Sequence, residues 1–276
     1  MATARVLLTK DLSDLKPVDL RALELELDLD IFHHVIKVCR HKIGDSLYLF
    51  DSTDEDAQYL SEIISISKKS FRVKIISKNI TQTRSEVKIH LFASLARGNA
   101  FDLLLQKSVE LGVSEITPIK TRFTQYSLNV KDVKKNAVKL KHWNKIITHA
   151  CQQSGLNIVP KIKPVIKFTD CFVDKAKNNL NLLAAGPLEV KKIQDSKLTN
   201  NLSVDFNYLL DFKTKVSCAT KHINLIIGPE GGFDLDEMLL AYNNNYKFIS
   251  LGSRILRMET APLAIISILQ GIFGDF

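Results

Sequence analysis

Cysteine pairs, metal-ligand clusters and long apolar runs are all missing from this 276-residue chain. Cys39, Cys151, Cys171 and Cys218 are widely scattered and form no CxxC pair. That excludes a disulfide framework or zinc site and suits reduced cytosolic thiols. The histidines show no HExxH or similar spacing and no GxSxG elbow is present, so metal-dependent and serine hydrolysis gain little support. The longest stretch without a charge runs only from Thr260 to Gly274, too short for a membrane span and suited to a buried helix. The opening MATARVLLTKDL holds no apolar run of secretory length. A cytoplasmic location with no membrane and no metal is therefore expected.

Charge, by contrast, is plentiful and lopsided. Lys and Arg number 38 against 30 Asp and Glu, a net charge of +8. Residues 1–79 are slightly acidic on balance, so the surplus lies in residues 80–276. A basic body suits a polyanion such as nucleic acid, although solubility alone also explains it. Hydrophobic residues at 45% and charged residues at 25% make an ordinary globular balance, which excludes wholesale disorder.

The pattern changes along the chain. Arg5–Leu8, Ser46–Phe50, Tyr59–Ile66 and Phe71–Ile76 read as short strands, with turns at Gly44-Asp45 and Asp51-Ser52-Thr53-Asp54. Ile31–Cys39 keeps helical spacing through Phe32, Val35, Ile36 and Cys39. Thr81–Glu86 is polar and is the expected linker. Beyond it strands are expected at Val87–Ser94, Ile116–Ile119, Leu180–Ala185, Ile223–Ile227 and Phe248–Leu251. Helices are expected after Asn99 as N-cap with Gly112 as the stop, over Val133–Gln153, and from about Ala261 to Ile272. This alternation predicts an α/β domain with a mostly parallel sheet. Lys191–Lys221, rich in Lys, Asn, Thr and Ser, is the least informative stretch.

Four segments stand out. In INLIIGPEGGFDLDE (223–237) a buried strand enters a loop with Gly228, Gly231 and Gly232, and Asp234 with Glu237 forms a capping box. Such glycines let backbone approach a ligand at the carboxyl end of a strand, or simply make a tight turn. The loop is neither a Walker A loop nor a GxGxxG fingerprint. In FISLGSRILRMETAP (248–262) a strand again enters a loop that starts with glycine, and Thr260 is the expected N-cap. Arg254, Arg257 and Glu259 lie there among apolar neighbours, as a structural ion pair or as functional charges. In the segment 97–112, Lys107 and Glu110 share a helix face and read as a solvated pair. The lysine-rich Lys131–Lys145 reads as a solvated face, with a phosphate-contacting face as the alternative.

Together these segments resemble one family. IIGPEGGF followed by LGSRILRMETAPLA is similar to the signature of the SPOUT-class methyltransferases. RGNAFDLLLQKSVELGVSEITPI, with HWNKIITHACQQSG and VPKI, resembles the RsmE family, and HHVIKVCRHKIGDSLYLFD resembles its N-terminal domain. The resemblance implies a PUA-like RNA-binding β-barrel over 1–80 and a SPOUT trefoil-knot domain over 81–276. It implies a homodimer that uses S-adenosyl-L-methionine to methylate N3 of a uridine in 16S rRNA of the small ribosomal subunit. The cofactor would be held by Ala185, Gly228, Glu230, Gly231, Gly232, Leu251, Gly252, Ile255, Leu256, Thr260 and Ala261. Arg257 would stabilise the uracil anion, and Glu259 would orient it or accept the proton. Arg5, Arg40, Arg97, Lys107, Arg122 and Arg254 match positions expected to contact RNA or, for Arg254, to support the pocket. The chain departs from the family pattern at Met258, Leu156, Gln152, Ala100 and Asp102, which bears on RNA contact and not on the cofactor glycines. Competing readings are a non-catalytic RNA-binding ribosome-assembly protein and a SPOUT methyltransferase with another RNA target.

Overall fold

The computed structural model describes residues 4–8, 23–27, 29–51, 57–81, 83, 85–125, 132–172, 179–195 and 222–276. Contacts divide the chain into two units: Met1–Arg84 with Thr148–Val159, and Ser85–Ile147 with Pro160–Phe276.

The first unit holds a five-stranded sheet. Its strands are β1 (Ala4–Leu7), β2 (Glu24–Leu27), β3 (Ser46–Phe50), β4 (Ala57–Ile66) and β5 (Phe71–Ile80), in the order β1-β3-β4-β5-β2. β1 pairs parallel to β3, and the other neighbours are antiparallel. Phe71, Val73 and Ile75 of β5 point to the core while Arg72, Lys74 and Ile76 point out, the alternation of a sheet with one solvated face. Truncating a core side chain such as Ile63 to alanine would cost about 2–5 kcal/mol.

β2 went unpredicted, and β5 runs beyond the expected Ile76. The expected helix over Ile31–Cys39 is a helical turn, α1 (Leu29–Phe32), followed by a π-helix over His33–Val38. The Cys39 amide donates to the His34 carbonyl, five residues back, at 2.9 Å. Phe32 and Val35 are nonetheless buried in the core, as the spacing predicts. Gly44 makes the expected turn at φ +90°, whereas Ser52, Thr53 and Asp54 lie outside the described residues.

Arg5 organises one edge of this unit. Its guanidinium donates to Gln58 Oε1 and to Asn157 Oδ1, each at 2.6 Å, and lies 5.0 Å from the centre of the Phe50 ring. Asn157 in turn donates from its amide to Thr83 Oγ1 at 3.0 Å and from Nδ2 to the Thr81 carbonyl at 3.3 Å. The expected linker thus begins with residues fastened to this unit. Burial lowers the Arg5 pKa, partly offset by Cys151 and Tyr48.

The second unit is built on a parallel sheet. Its strands are β6 (Lys88–Ser94), β7 (Glu115–Lys120), β8 (Lys161–Ile162), β9 (Ile166–Lys167), β10 (Leu180–Ala184), β11 (His222–Ile227) and β12 (Lys247–Ile249). The order is β12-β10-β11-β6-β7-β8, with β9 also on β7. β6 and β11 are largely buried beyond their first residues, as strands covered on both faces are. The helices are α2 (Ala100–Glu110), α3 (Val133–Ser154, whose residues from Thr148 on belong to the first unit), α4 (Pro187–Asp195), α5 (Leu235–Asn243) and α6 (Thr260–Phe273). No helix among the described residues is long and apolar enough to cross a membrane.

Two expected caps fall differently. Asn99 precedes α2 but makes no side-chain cap bond, because its backbone sits at φ −93°, ψ 1° instead of the extended conformation a cap needs. Thr260 is already helical; Glu259 stands at the N-cap, also without a side-chain bond. By contrast, the Asp234–Glu237 capping box forms as predicted. α4 went unpredicted, and Cys218, with the rest of 196–221, lies outside the described residues.

Candidate functional site

Because β12, β10 and β11 are parallel neighbours, their carboxyl ends share one side of the sheet. The three loops that leave them meet around a cavity of about 160 Å³. One water needs about 10–15 Å³ by this measure, so the space suits an organic ligand.

The loop after β10 is short. Ala185 and Gly186 lead to Pro187, the first residue of α4, a position where the missing N–H costs nothing. Glu189 follows in the first turn and is buried at 8% exposure. Its Oε1 accepts the Phe233 amide at 3.2 Å.

The loop after β11 is shaped by glycine. A Cβ on Gly228 would stand 2.7 Å from Cε2 of the buried Phe233 ring. Gly232 has φ +71°, and a Cβ there would overlap the Glu189 carboxylate. Only glycine satisfies both conditions at residue 232. The Gly232 amide donates to the Pro229 carbonyl at 2.9 Å, closing the turn before Asp234 caps α5. Glu237 Oε2 accepts the Asp234 amide at 3.0 Å, and its Oε1 accepts the Arg122 amide at 2.8 Å. The Arg122 guanidinium pairs with Asp234.

The loop after β12 supplies the third wall. Leu251 and Gly252 open it, Ile255 and Leu256 follow, and Met258 is buried. The Arg257 carbonyl accepts the amides of Thr260 and Ala261 at 2.9 and 3.1 Å, so it anchors the start of α6. The Arg257 guanidinium is 86% exposed and 3.9 Å from Glu259 Oε1. At that distance and exposure the pair contributes about 0–1 kcal/mol. A stabilising ion pair does not account for these charges.

Ten of the eleven predicted cofactor residues line this cavity: Ala185, Gly228, Glu230, Gly231, Gly232, Leu251, Gly252, Ile255, Leu256 and Ala261. Thr260 does not. Arg257 and Arg254 also line it, while Glu259 stands behind them at the head of α6. Sequence reasoning missed the apolar wall of Ile227, Ile249 and Ile265 and the charged Lys192 and Glu189; of these two charged residues only Glu189 is buried. A proline at N1 with an acid two residues later was a legible helix start. The burial of that acid was not, because Gly186 and Gly232 create it from separate loops.

The predicted RNA residues divide into two groups. Arg40, at φ +61°, Arg97 and Arg254 are exposed. Lys107 is paired with Glu110 at 2.8 Å, Arg122 with Asp234, and Arg5 with Gln58 and Asn157.

The chain is similar to known proteins. Residues 83–270 match the family described as RNA methyltransferase domain, and residues 27–76 match the RNA methyltransferase PUA domain. The class is therefore that of the RNA methyltransferases. A ribosomal RNA small subunit methyltransferase E from Buchnera aphidicola is 34% identical over 92% of this chain and 93% of its own. The structure of a methyltransferase from Legionella pneumophila with bound cofactor SAM has a TM-score of 0.82 at 29% identity, covering 100% of both chains. A ribosomal RNA small subunit methyltransferase E from Neisseria gonorrhoeae, bound to S-adenosyl methionine, has a TM-score of 0.79 at 27% identity, covering 99% of both. The chain belongs to the ribosomal RNA small subunit methyltransferase E (RsmE) family.

Proposed function

We propose that the protein transfers a methyl group from S-adenosylmethionine to N3 of a specific uridine in 16S rRNA. The observation that carries this reading is the convergence of the three strand-end loops on one cavity with Arg257 on its wall. Membership of the RsmE family and the likeness to two structures with bound cofactor support it.

The residues present fit the cofactor. Ile227, Ile249, Leu256 and Ile265 supply apolar wall for a purine ring. At Gly252, with φ +92°, the space a Cβ would take is open. Ala185, Gly228, Glu230, Gly231, Gly232, Leu251, Ile255 and Ala261 complete the cradle. When bound, S-adenosylmethionine supplies a methyl group on a positively charged sulfonium.

The chain must make a poor nucleophile into a good one. Uridine N3 carries a proton at neutral pH, and its anion spreads onto the flanking oxygens. The Arg257 guanidinium on the cavity wall favours that anion. Glu259 orients Arg257 or accepts the N3 proton. As the N3–carbon bond forms, the carbon–sulfur bond breaks and its electron pair stays on sulfur.

RNA contact falls to the exposed Arg40, Arg97 and Arg254, with 1–80 as RNA-binding domain and 81–276 as the methyl-transfer domain, a trefoil knot. The assembly proposed is a homodimer, with the apolar α6 as a candidate contact. The setting proposed is the cytoplasm, where small subunits are made. The test is transfer of labelled methyl from S-adenosylmethionine to small subunits from a strain lacking the modification, alongside free 16S rRNA. Incorporation into subunits is expected. Cofactor binding with no transfer to either RNA would refute the assigned substrate.

A further inference from the structure

Among the described residues that line the cavity, five bear a formal charge: Glu189, Lys192, Glu230, Arg254 and Arg257. Four of them are exposed, and only Glu189 is buried. Its position is fixed from two sides. Oε1 accepts the Phe233 amide at 3.2 Å, and a Cβ on Gly186 would stand 2.9 Å from Oε2. A Cβ on either Gly186 or Gly232 would press on this carboxylate. The amide bond occupies Oε1 and, among the described residues, leaves the charge of the carboxylate on the cavity wall without a cationic side chain bonded to it. That charge favours a cation in the cavity, and at that depth salt screens the attraction poorly.

We propose that Glu189 makes the cavity selective for the charge of its ligand, holding the cationic sulfonium cofactor more tightly than the neutral thioether left after transfer. This inference rests on the methyl-donor reading of the cavity. At neutral pH the donor carries one more positive charge than S-adenosylhomocysteine, and the two are otherwise nearly the same shape. Loss of that charge on transfer weakens the by-product's hold and helps the site to clear. Glu189 acts here as a binding residue.

The test is calorimetric titration of the full-length protein with S-adenosylmethionine and with S-adenosylhomocysteine. The ratio of the two affinities is the readout, since a structural role for Glu189 would weaken both ligands alike. The wild-type protein should favour the donor by about tenfold or more. Glu189→Gln, which keeps the acceptor for Phe233, should bring the ratio close to one. Glu189→Asp, which keeps the charge, should restore much of it. The wild-type ratio should also hold between about 0.05 and 0.5 M salt. Equal wild-type affinities, a ratio unmoved by Glu189→Gln, or a ratio that collapses with salt would each overturn the proposal. Binding of neither ligand would overturn the methyl-donor reading itself, and this inference with it.

Discussion

Phe233 donates its backbone N–H to the Glu189 carboxylate at 3.2 Å, fastening the loop after β11 to the first turn of α4. The bond holds the carboxylate where a Cβ on residue 232 would overlap it.

Gly232→Ala is accordingly expected to injure the site twice. Alanine at φ +71° is strained by about 1–2 kcal/mol, and its methyl group would displace Glu189. Cofactor affinity should fall by about tenfold or more, with a lower melting temperature. Calorimetry and thermal unfolding check both; unchanged affinity would show that Glu189 and the loop move independently.

Arg257→Ala should lower turnover by about a hundredfold, the usual worth of an electrostatic group at the reacting centre. The side chain is 86% exposed, so cofactor affinity should change little. Arg257→Lys should also cut turnover more than cofactor affinity, because an ammonium lacks the planar fork. Single-turnover kinetics separate the two effects. Near-normal turnover in Arg257→Ala would remove it from the mechanism.

Arg5 and Arg97 should behave in opposite ways. Arg5 is held by Gln58, Asn157 and Phe50, so Arg5→Ala should cost about 2–4 kcal/mol of stability with an unchanged salt slope of RNA binding. Arg97 is exposed, so Arg97→Ala should leave stability alone and reduce the log–log salt slope by about one. Denaturant titration and RNA binding across salt concentrations distinguish them.

Burial pushes the thiols of Cys151 and Cys171 up to about 12. At pH 8 their thiolate fraction is roughly one in ten thousand, so neither should react with a disulfide reagent in the folded protein. In a Cys218→Ser background, Cys39, the partly exposed thiol, should be the one labelled. Labelling of Cys151 under native conditions would contradict its place in the core.

The His34 imidazole lies below its usual range because of burial first, then the neighbouring charges of His149 and His33. His34 and His149 stack with ring centres 6.0 Å apart. Between the lowered folded value and the unfolded value near 6.5, the unfolded chain binds more protons, so stability rises with pH through that window. Stability should therefore fall as pH drops from about 7.5 to 5, and His34→Asn should flatten part of that fall.

Much of this was legible where local chemistry decides. The Asp234–Glu237 box, the runs that became β6 and β11, and the loops at Gly228 and Gly252 could all be read from neighbours in the chain. What escaped depended on distant partners or on weak local signals. β2 is four alternating residues at the edge of its sheet, too short for periodicity to single out. The π-helix differs from an α-helix by one residue per bond, which six residues do not reveal. The burial of Glu189 depends on Gly186 and Gly232, which meet its carboxylate from two loops. Arg5 reads as a free cation until Asn157, far along the chain, is brought beside it.

The central claim concerns the atom that is methylated. Small subunits lacking the modification should be incubated with the protein and S-adenosylmethionine, and the 16S rRNA then digested to nucleosides for mass spectrometry. The account predicts 3-methyluridine at a single position, formed about a hundredfold more slowly with Arg257→Ala. Methyl on uridine C5 or on a ribose 2′ oxygen instead would contradict it.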